Sequence, residues 1–246
     1  MRLERMLVLC LSVFLFSCAT DKKQEYTDQE KLAIYRELGI RYLNLGMNDI
    51  AMQKLKLALK IDSENAKTQN AIAVAYERIE KAEQARRHFN KALALAPDDT
   101  DTLNNYGRFL CNQNDFQAAM PYLQRAVNSP INRARWQAFT NIGHCVLVQG
   151  HRDKAESYFK KALALQNNYA PALIELSKIN YQQGNYMSAR GFLERFAGAS
   201  EGNYSAESLL LGFNIEHALG DENMAEKYRS LLIQKFPDSK EAKKLF

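Results

Sequence analysis

Between residues 32 and 239 the sequence repeats itself about every 34 residues. The recurring pattern is a small residue, a large apolar residue four positions later and a second small residue three positions after that. It occurs at Ala51-Leu55-Ala58, Ala85-Phe89-Ala92, Ala119-Leu123-Ala126 and Ala155-Phe159-Ala162. Units that begin at residues 32, 66, 100, 136, 170 and 206 are spaced by 34, 34, 36, 34 and 36 residues. A unit of this length cannot bury its apolar face alone, so the units must stack on one another.

Each unit has the pattern of two antiparallel helices. Large residues fill the space between the helices, and small residues let the two backbones approach each other. Glycines fall where the first helix of four units should end, in the left-handed conformation that glycine favours. These are Gly46, Gly150, Gly184 and Gly220.

In content and spacing these units resemble the tetratricopeptide repeat (TPR). The resemblance implies an all-α fold: a right-handed TPR superhelix, or α-solenoid, of about six helix-turn-helix repeats over residues 32–239. The first helices of the units would line its concave face.

The first residues have the layout of a secretory signal. Arg2 and Arg5 precede ten uncharged residues, 7–16, which end in Leu15-Phe16-Ser17-Cys18. As a helix, this apolar run would cover about half of a bilayer's hydrocarbon core. The ending resembles the lipobox of bacterial lipoproteins, in which the cysteine is acylated and becomes the mature N-terminus.

We therefore predict a lipoprotein signal peptide at residues 1–17, lipidation of Cys18, a polar linker at residues 18–31 and a C-terminal tail at residues 240–246. Ala19 follows the cysteine, where aspartate would resemble an inner-membrane retention signal. This favours the bacterial outer membrane, with the repeat domain in the periplasm. A plain signal peptide with an incidental cysteine and an uncleaved anchor are the alternatives.

The remaining composition argues against catalysis. Basic residues exceed acidic ones by five but are spread along the chain, which is weak evidence for a nucleic-acid partner. The histidines, His88, His144, His151 and His217, share no helix face with a carboxylate at metal-ligand spacing. There is no glycine-rich phosphate loop and no nucleophile elbow. We predict no enzymatic activity, no metal, no cofactor, no small-molecule substrate and no nucleic-acid partner.

Two cysteines remain after the signal, Cys111 and Cys145, on the first helices of neighbouring units. Because these helices should pack side by side in an oxidising periplasm, we predict a disulfide between them. The alternative is that both are small buried apolar residues.

A TPR solenoid binds through its groove, where positions 2, 5, 9, 12 and 13 of each first helix face a bound segment. The predicted partner-binding residues are Arg36, Ile40, Leu43, Asn44, Asn70, Val74, Glu77, Asn104 and Arg108. Units four and five add Thr140, His144, Ile174, Lys178 and Tyr181. This mixture suits a peptide or helix with apolar anchors and acidic contacts.

The lipobox followed directly by six repeats, with the segment Leu103-Asn-Asn-Tyr-Gly-Arg-Phe-Leu-Cys111, resembles the type IV pilus biogenesis and stability lipoprotein family, PilF/PilW. The resemblance implies a pilotin, an outer-membrane lipoprotein that helps the pilus secretin assemble and supports pilus stability by protein–protein binding. Another periplasmic TPR adaptor lipoprotein, organising cell-wall or outer-membrane assembly enzymes, is the first alternative. An enzyme whose site lies in the groove is the second.

Overall fold

The computed structural model describes residues 26–245, which form twelve α-helices and one 3-10 helix and contain no strand. The helices pair along the chain, and each pair is one repeat unit. Their bounds are α1 Asp28–Asn44, α2 Asn48–Ile61, α3 Ala66–Arg78, α4 Ala82–Leu95, α5 Thr100–Asn112, α6 Phe116–Asn128, α7 Arg135–Val148, α8 Arg152–Leu165, α9 Ala170–Gln182, α10 Tyr186–Ala199, α11 Ala206–Leu219 and α12 Glu222–Lys235. The fold is the predicted TPR solenoid of six helix-turn-helix repeats.

The first helices of units two to six begin at the predicted unit start or one residue before it. The first unit differs, because α1 begins at Asp28, inside the predicted linker of residues 18–31. Its start is set by a capping box. The Thr27 hydroxyl accepts from the Glu30 backbone N–H at 3.3 Å, and the Glu30 carboxylate accepts from the Thr27 N–H at 2.8 Å. The predicted boundary at residue 32 is therefore too late.

The predicted tail, residues 240–246, also differs from the structure. A short 3-10 helix, Ala242–Leu245, packs on the last unit, and Ala242 is buried against Leu209 and Leu232. This segment covers apolar surface that the last hairpin would otherwise expose, so the described part of the tail belongs to the folded domain.

Close packing within each hairpin depends on small residues in the first helix. A Cβ atom added at Gly107 would lie 2.6 Å from Leu123 Cγ, and one added at Gly143 would lie 2.7 Å from a ring carbon of Phe159. Both large partners are fully buried. The small-against-large pattern of the sequence thus corresponds to direct contacts between the two helices of a unit.

The apolar core runs continuously through the middle of the solenoid. Phe89, Phe109 and Phe159 are completely buried in it, and they come from three successive units. Each unit therefore depends on its neighbours for burial, and the stack positions the first helices beside one another. Within residues 26–245, no helix is long and apolar enough to cross a membrane.

Candidate partner-binding groove

A cavity of about 770 Å³ opens between the first helices of units one to three, α1, α3 and α5. All nine residues predicted for the partner-binding groove line it. The residues named from units four and five, such as Thr140 and Lys178, do not. The structure thus brings the candidate site together in the N-terminal half of the solenoid.

The apolar part of the groove comes from α1 and α3. Ile40 and Val74 are half-buried and reach its surface, whereas Leu43 is only 3% exposed and belongs mainly to the core beneath. Ile40 and Val74 are therefore the apolar side chains that a bound segment could contact.

Two of the predicted charged residues neutralise each other. The Arg108 guanidinium donates two hydrogen bonds to the Glu77 carboxylate, each 2.7 Å long, and Asn112 adds a third at 3.2 Å. The Glu77 side chain is only 13% exposed. A bidentate, largely desolvated pair of this kind fixes α5 against α3 and gives the groove a rigid, locally neutral floor.

Asparagines connect successive units along the same surface. Asn105 Nδ2 donates to Asn70 Oδ1 at 3.3 Å, and Asn141 Nδ2 donates to Asn104 Oδ1 at 2.8 Å. The accepting residue is position 5 of one unit, and the donor is position 6 of the next. Asn70 and Asn104 are nearly buried, so both hold the units in register as well as lining the groove.

The free charge in the groove comes partly from residues that the prediction did not name. Arg36 and Lys67 form no ion pair within the described residues. Arg78 donates to the Leu43 carbonyl at 2.6 Å. Lys67 occupies position 2 of its unit, one of the positions assigned to the groove, so the same spacing rule applied to every unit would have found it.

Two carboxylates lie at the opposite side of the groove. Asp99 caps α5 by accepting from the Thr102 backbone N–H at 2.9 Å. Partial burial raises the pKa of Asp101 and the neighbouring Asp99 carboxylate raises it further, while the nearby Lys67 ammonium opposes both effects. The three cations Arg36, Lys67 and Arg78 thus outnumber these two carboxylates in the groove, although Lys67 also interacts with Asp101. The excess of positive charge favours a partner segment with acidic residues.

Comparison with known protein families matches residues 111–230 to the cilia and flagella-associated protein 70 middle TPR-like domain. It matches residues 68–129 to the YpiA-like, C-terminal tetratricopeptide repeats. Among curated proteins, the chain is 31% identical over 246 residues to the type IV pilus assembly protein PilF of Pseudomonas aeruginosa. That alignment covers 98% of this chain and 97% of PilF.

The chain belongs to the PilF/PilW family. Solved structures agree with this assignment. The chain is 30% identical to the structure of P. aeruginosa PilF with a TM-score of 0.73, covering 89% of this chain and 97% of that one. It is 30% identical to the crystal structure of PilW, a widely conserved type IV pilus biogenesis factor, with a TM-score of 0.72, covering 87% and 97%.

In this PilF/PilW family member the two remaining cysteines meet at the contact between α5 and α7. Cys111 and Cys145 are buried, with Cα atoms 5.4 Å apart and sulfur atoms at bonding distance. Neither cysteine lines the groove. It is compatible with the predicted disulfide, which stays a prediction.

Two other predictions from the sequence concern lipidation and metal binding. Cys18 and the predicted signal peptide lie outside the described residues. Within residues 26–245, no group of three or more His, Cys, Asp and Glu side chains is placed to hold a metal ion.

Proposed function

We propose that this protein is an outer-membrane lipoprotein that acts as a pilotin, binding the type IV pilus secretin and assisting its assembly. The observation that carries the proposal is the groove across units one to three, in a chain that belongs to the PilF/PilW family. The related protein is described as a type IV pilus assembly protein and PilW as a pilus biogenesis factor. We also propose that the chain acts as a scaffold and catalyses no reaction.

The groove fits an amphipathic segment of a protein partner. Ile40 and Val74 would contact its apolar side chains, and the unpaired cations Arg36 and Lys67 would meet acidic ones. Because Glu77 and Arg108 already satisfy each other, the groove floor does not have to rearrange when the partner binds. A preorganised site of this kind loses less entropy on binding.

Acylation of Cys18 would hold one end of the chain at the outer membrane with the solenoid in the periplasm. Confining the groove near the membrane raises the effective concentration of the partner without any new contact. Diacyl plus amide-linked chains exceed the two-chain requirement for stable anchoring. Metabolic labelling with palmitate tests this part. We expect labelling of the wild-type protein and none of Cys18→Ser.

Gene deletion with complementation tests the role itself. We expect the deletion to remove surface pili and heat-stable secretin multimers, and the wild-type gene to restore both. Arg36→Glu reverses a groove cation and should bind the secretin about tenfold more weakly, the equivalent of one lost charged contact. Arg87→Glu is the matched control, because Arg87 is an exposed cation on α4, the second helix of unit two, and lies outside the groove.

Normal pili and multimers in the deletion strain would contradict the pilotin role while leaving the fold and the groove intact. Crosslinking of the groove to a cell-wall or outer-membrane assembly enzyme, in place of the secretin, would identify the adaptor function instead. Equal binding by Arg36→Glu and Arg87→Glu would show that the partner uses another surface.

A further inference from the structure

The connection between α6 and α7, residues 129–134, presents an unusual apolar side chain. Ile131 is 72% exposed, more than any other large apolar residue of the described chain. The spacing between units lengthens here from 34 to 36 residues. The additional residues are not needed to stack the hairpins, since units one to three and units four and five stack with the shorter spacing.

The loop is held in place from inside. Asn132 is buried, donates from Nδ2 to the Ala126 carbonyl at 2.7 Å and accepts from the Ala134 backbone N–H at 2.8 Å. Two hydrogen bonds from one buried side chain fix the loop on the end of α6. Ile131 is therefore displayed by an ordered loop rather than by a freely moving one.

The second long connection, between α10 and α11, uses its extra residues differently. Its aromatic residue, Tyr204, packs back on the solenoid, with ring centroids 6.4 Å from Phe196 and 6.2 Å from Tyr228. Lengthening the connection therefore does not by itself force an apolar side chain into solvent. The exposure of Ile131 is specific to the first of the two insertions.

Two arginines follow the exposed isoleucine closely in the chain. Arg133 and Arg135 are both exposed, and neither forms an ion pair within the described residues. No acidic residue occurs between residues 116 and 152 of the sequence. An exposed apolar side chain followed by two cations without ion-pair partners is complementary to a surface that is anionic outside and apolar beneath.

The α6–α7 loop also lies at the edge of the solenoid where the described chain begins, which is compatible with contact between this loop and a membrane surface. First helices of successive units stack side by side, so the start of α1 and the loop before α7 lie at one edge of the molecule. Tyr26, the first described residue, lies at this edge and is 45% exposed. The opposite edge also has exposed apolar residues, among them Leu45 at the end of α1.

We propose that the α6–α7 loop docks on a phospholipid leaflet containing anionic lipids, with Ile131 at the boundary between headgroups and acyl chains and Arg133 and Arg135 on the phosphates. The inference rests on the proposed acyl anchor at Cys18. The anchor keeps the loop close to the leaflet, so a weak contact is enough to set how the solenoid and its groove are oriented.

Depth-dependent fluorescence quenching tests the contact. The chain has one tryptophan, Trp136, which Trp136→Phe removes to give a silent background. In this background Ile131→Trp places a reporter in the loop. Leu45→Trp places a matched reporter at the opposite edge, where Leu45 is 66% exposed. The full-length lipidated proteins are reconstituted into phosphatidylethanolamine–phosphatidylglycerol vesicles with and without brominated acyl chains.

We expect brominated lipid to quench the Ile131→Trp reporter and to leave the Leu45→Trp reporter unchanged. Adding Arg133→Glu and Arg135→Glu should abolish the quenching, as should replacing phosphatidylglycerol by phosphatidylcholine. Circular dichroism checks that each variant is folded. Limited proteolysis of the loop on vesicles, compared between the wild-type protein and Ile131→Ser, gives a second measurement that does not depend on an introduced tryptophan.

Vesicle flotation reports the acyl anchor separately. Protein that floats without quenching at residue 131 overturns the loop contact and leaves the anchor standing, as does equal quenching of both reporters. Protein that does not float overturns the anchor and this inference with it. Crosslinking of the loop to an acidic protein, without quenching by lipid, overturns the lipid contact in favour of a protein partner.

Discussion

Position 15 of each unit takes the same unusual backbone conformation in all six repeats. The value of φ is positive at Gly46, Glu80, Asn114, Gly150, Gly184 and Gly220, between 58° and 82°. This residue ends the first helix and redirects the chain into the second. Glycine adopts the conformation without strain, and asparagine tolerates it better than most residues do. Glu80 has neither advantage.

Glu80→Gly should therefore stabilise the protein by about 1 kcal/mol, because it removes the cost of a left-handed side-chain-bearing residue. Gly150→Ala is the reciprocal change. Nothing lies within 4 Å of a Cβ at Gly150, so its expected loss of about 1 kcal/mol comes from the backbone alone. Denaturant unfolding of both variants measures the two signs. Equal destabilisation by both would contradict a backbone origin.

At the level of helices, the repeat spacing places the starts of the first helices of units two to six within one residue of where they lie. The repeat spacing did not predict two elements that depend on local sequence. The Thr27–Glu30 capping box starts α1 before the predicted unit, and the short helix at Ala242 has no repeat pattern. The sequence predicted that Cys111 and Cys145 of neighbouring units lie close together, but it did not predict which charged side chains pair between units. The pairing of Glu77 with Arg108 depends on how far one hairpin is rotated against the next, which spacing does not reveal.

The α5–α7 contact makes the predicted disulfide testable. We expect the purified native protein to be lighter by two hydrogen atoms than after reduction, and Cys111→Ser/Cys145→Ser to lose about 3–4 kcal/mol of stability. The bridge would close a loop across 34 residues of sequence. Mass spectrometry with thiol alkylation measures the first effect and denaturant unfolding the second. Two free thiols in the native protein would contradict the bridge.

A buried ion pair fixes the last unit on the fifth. Arg190 of α10 donates through two nitrogens to Glu216 of α11 and, at 3.3 Å, to Asp221. Glu216 is only 3% exposed. Arg190→Met would leave the Glu216 carboxylate buried without its main partner. We expect a loss of about 3–5 kcal/mol in the stability of this interface.

Hydrogen exchange in α11 and α12 measures that loss. The double variant Arg190→Met/Glu216→Leu should recover most of it, because no uncompensated charge remains. Arg195→Met is the control on the same helix. Arg195 is exposed and donates to the Asn167 carbonyl at 2.6 Å, so its removal should cost only about 1 kcal/mol. Similar losses for Arg190→Met and Arg195→Met would argue against burial as the cause.

Across the whole molecule, stability should follow the linear order of the units. Each hairpin packs on its neighbours, so the middle units are covered on both sides and the ends on one. The C-terminal end has an additional cover, since Ala242 is 1% exposed and Leu245 packs on the same apolar cluster as Leu209 and Leu232.

A chain that ends at Ser239 loses this cover, and we expect faster hydrogen exchange in α11 and α12 with little change in α5 to α7. The physical reason is that coupling in a solenoid falls off with each intervening unit. Lys243→Ala/Lys244→Ala, which keeps the apolar residues of the segment and removes two of its charges, is the control and should leave exchange unchanged. Uniformly faster exchange in the shortened chain would instead indicate one cooperative unit, in which the last residues support the groove at the far end as much as the hairpin that they touch.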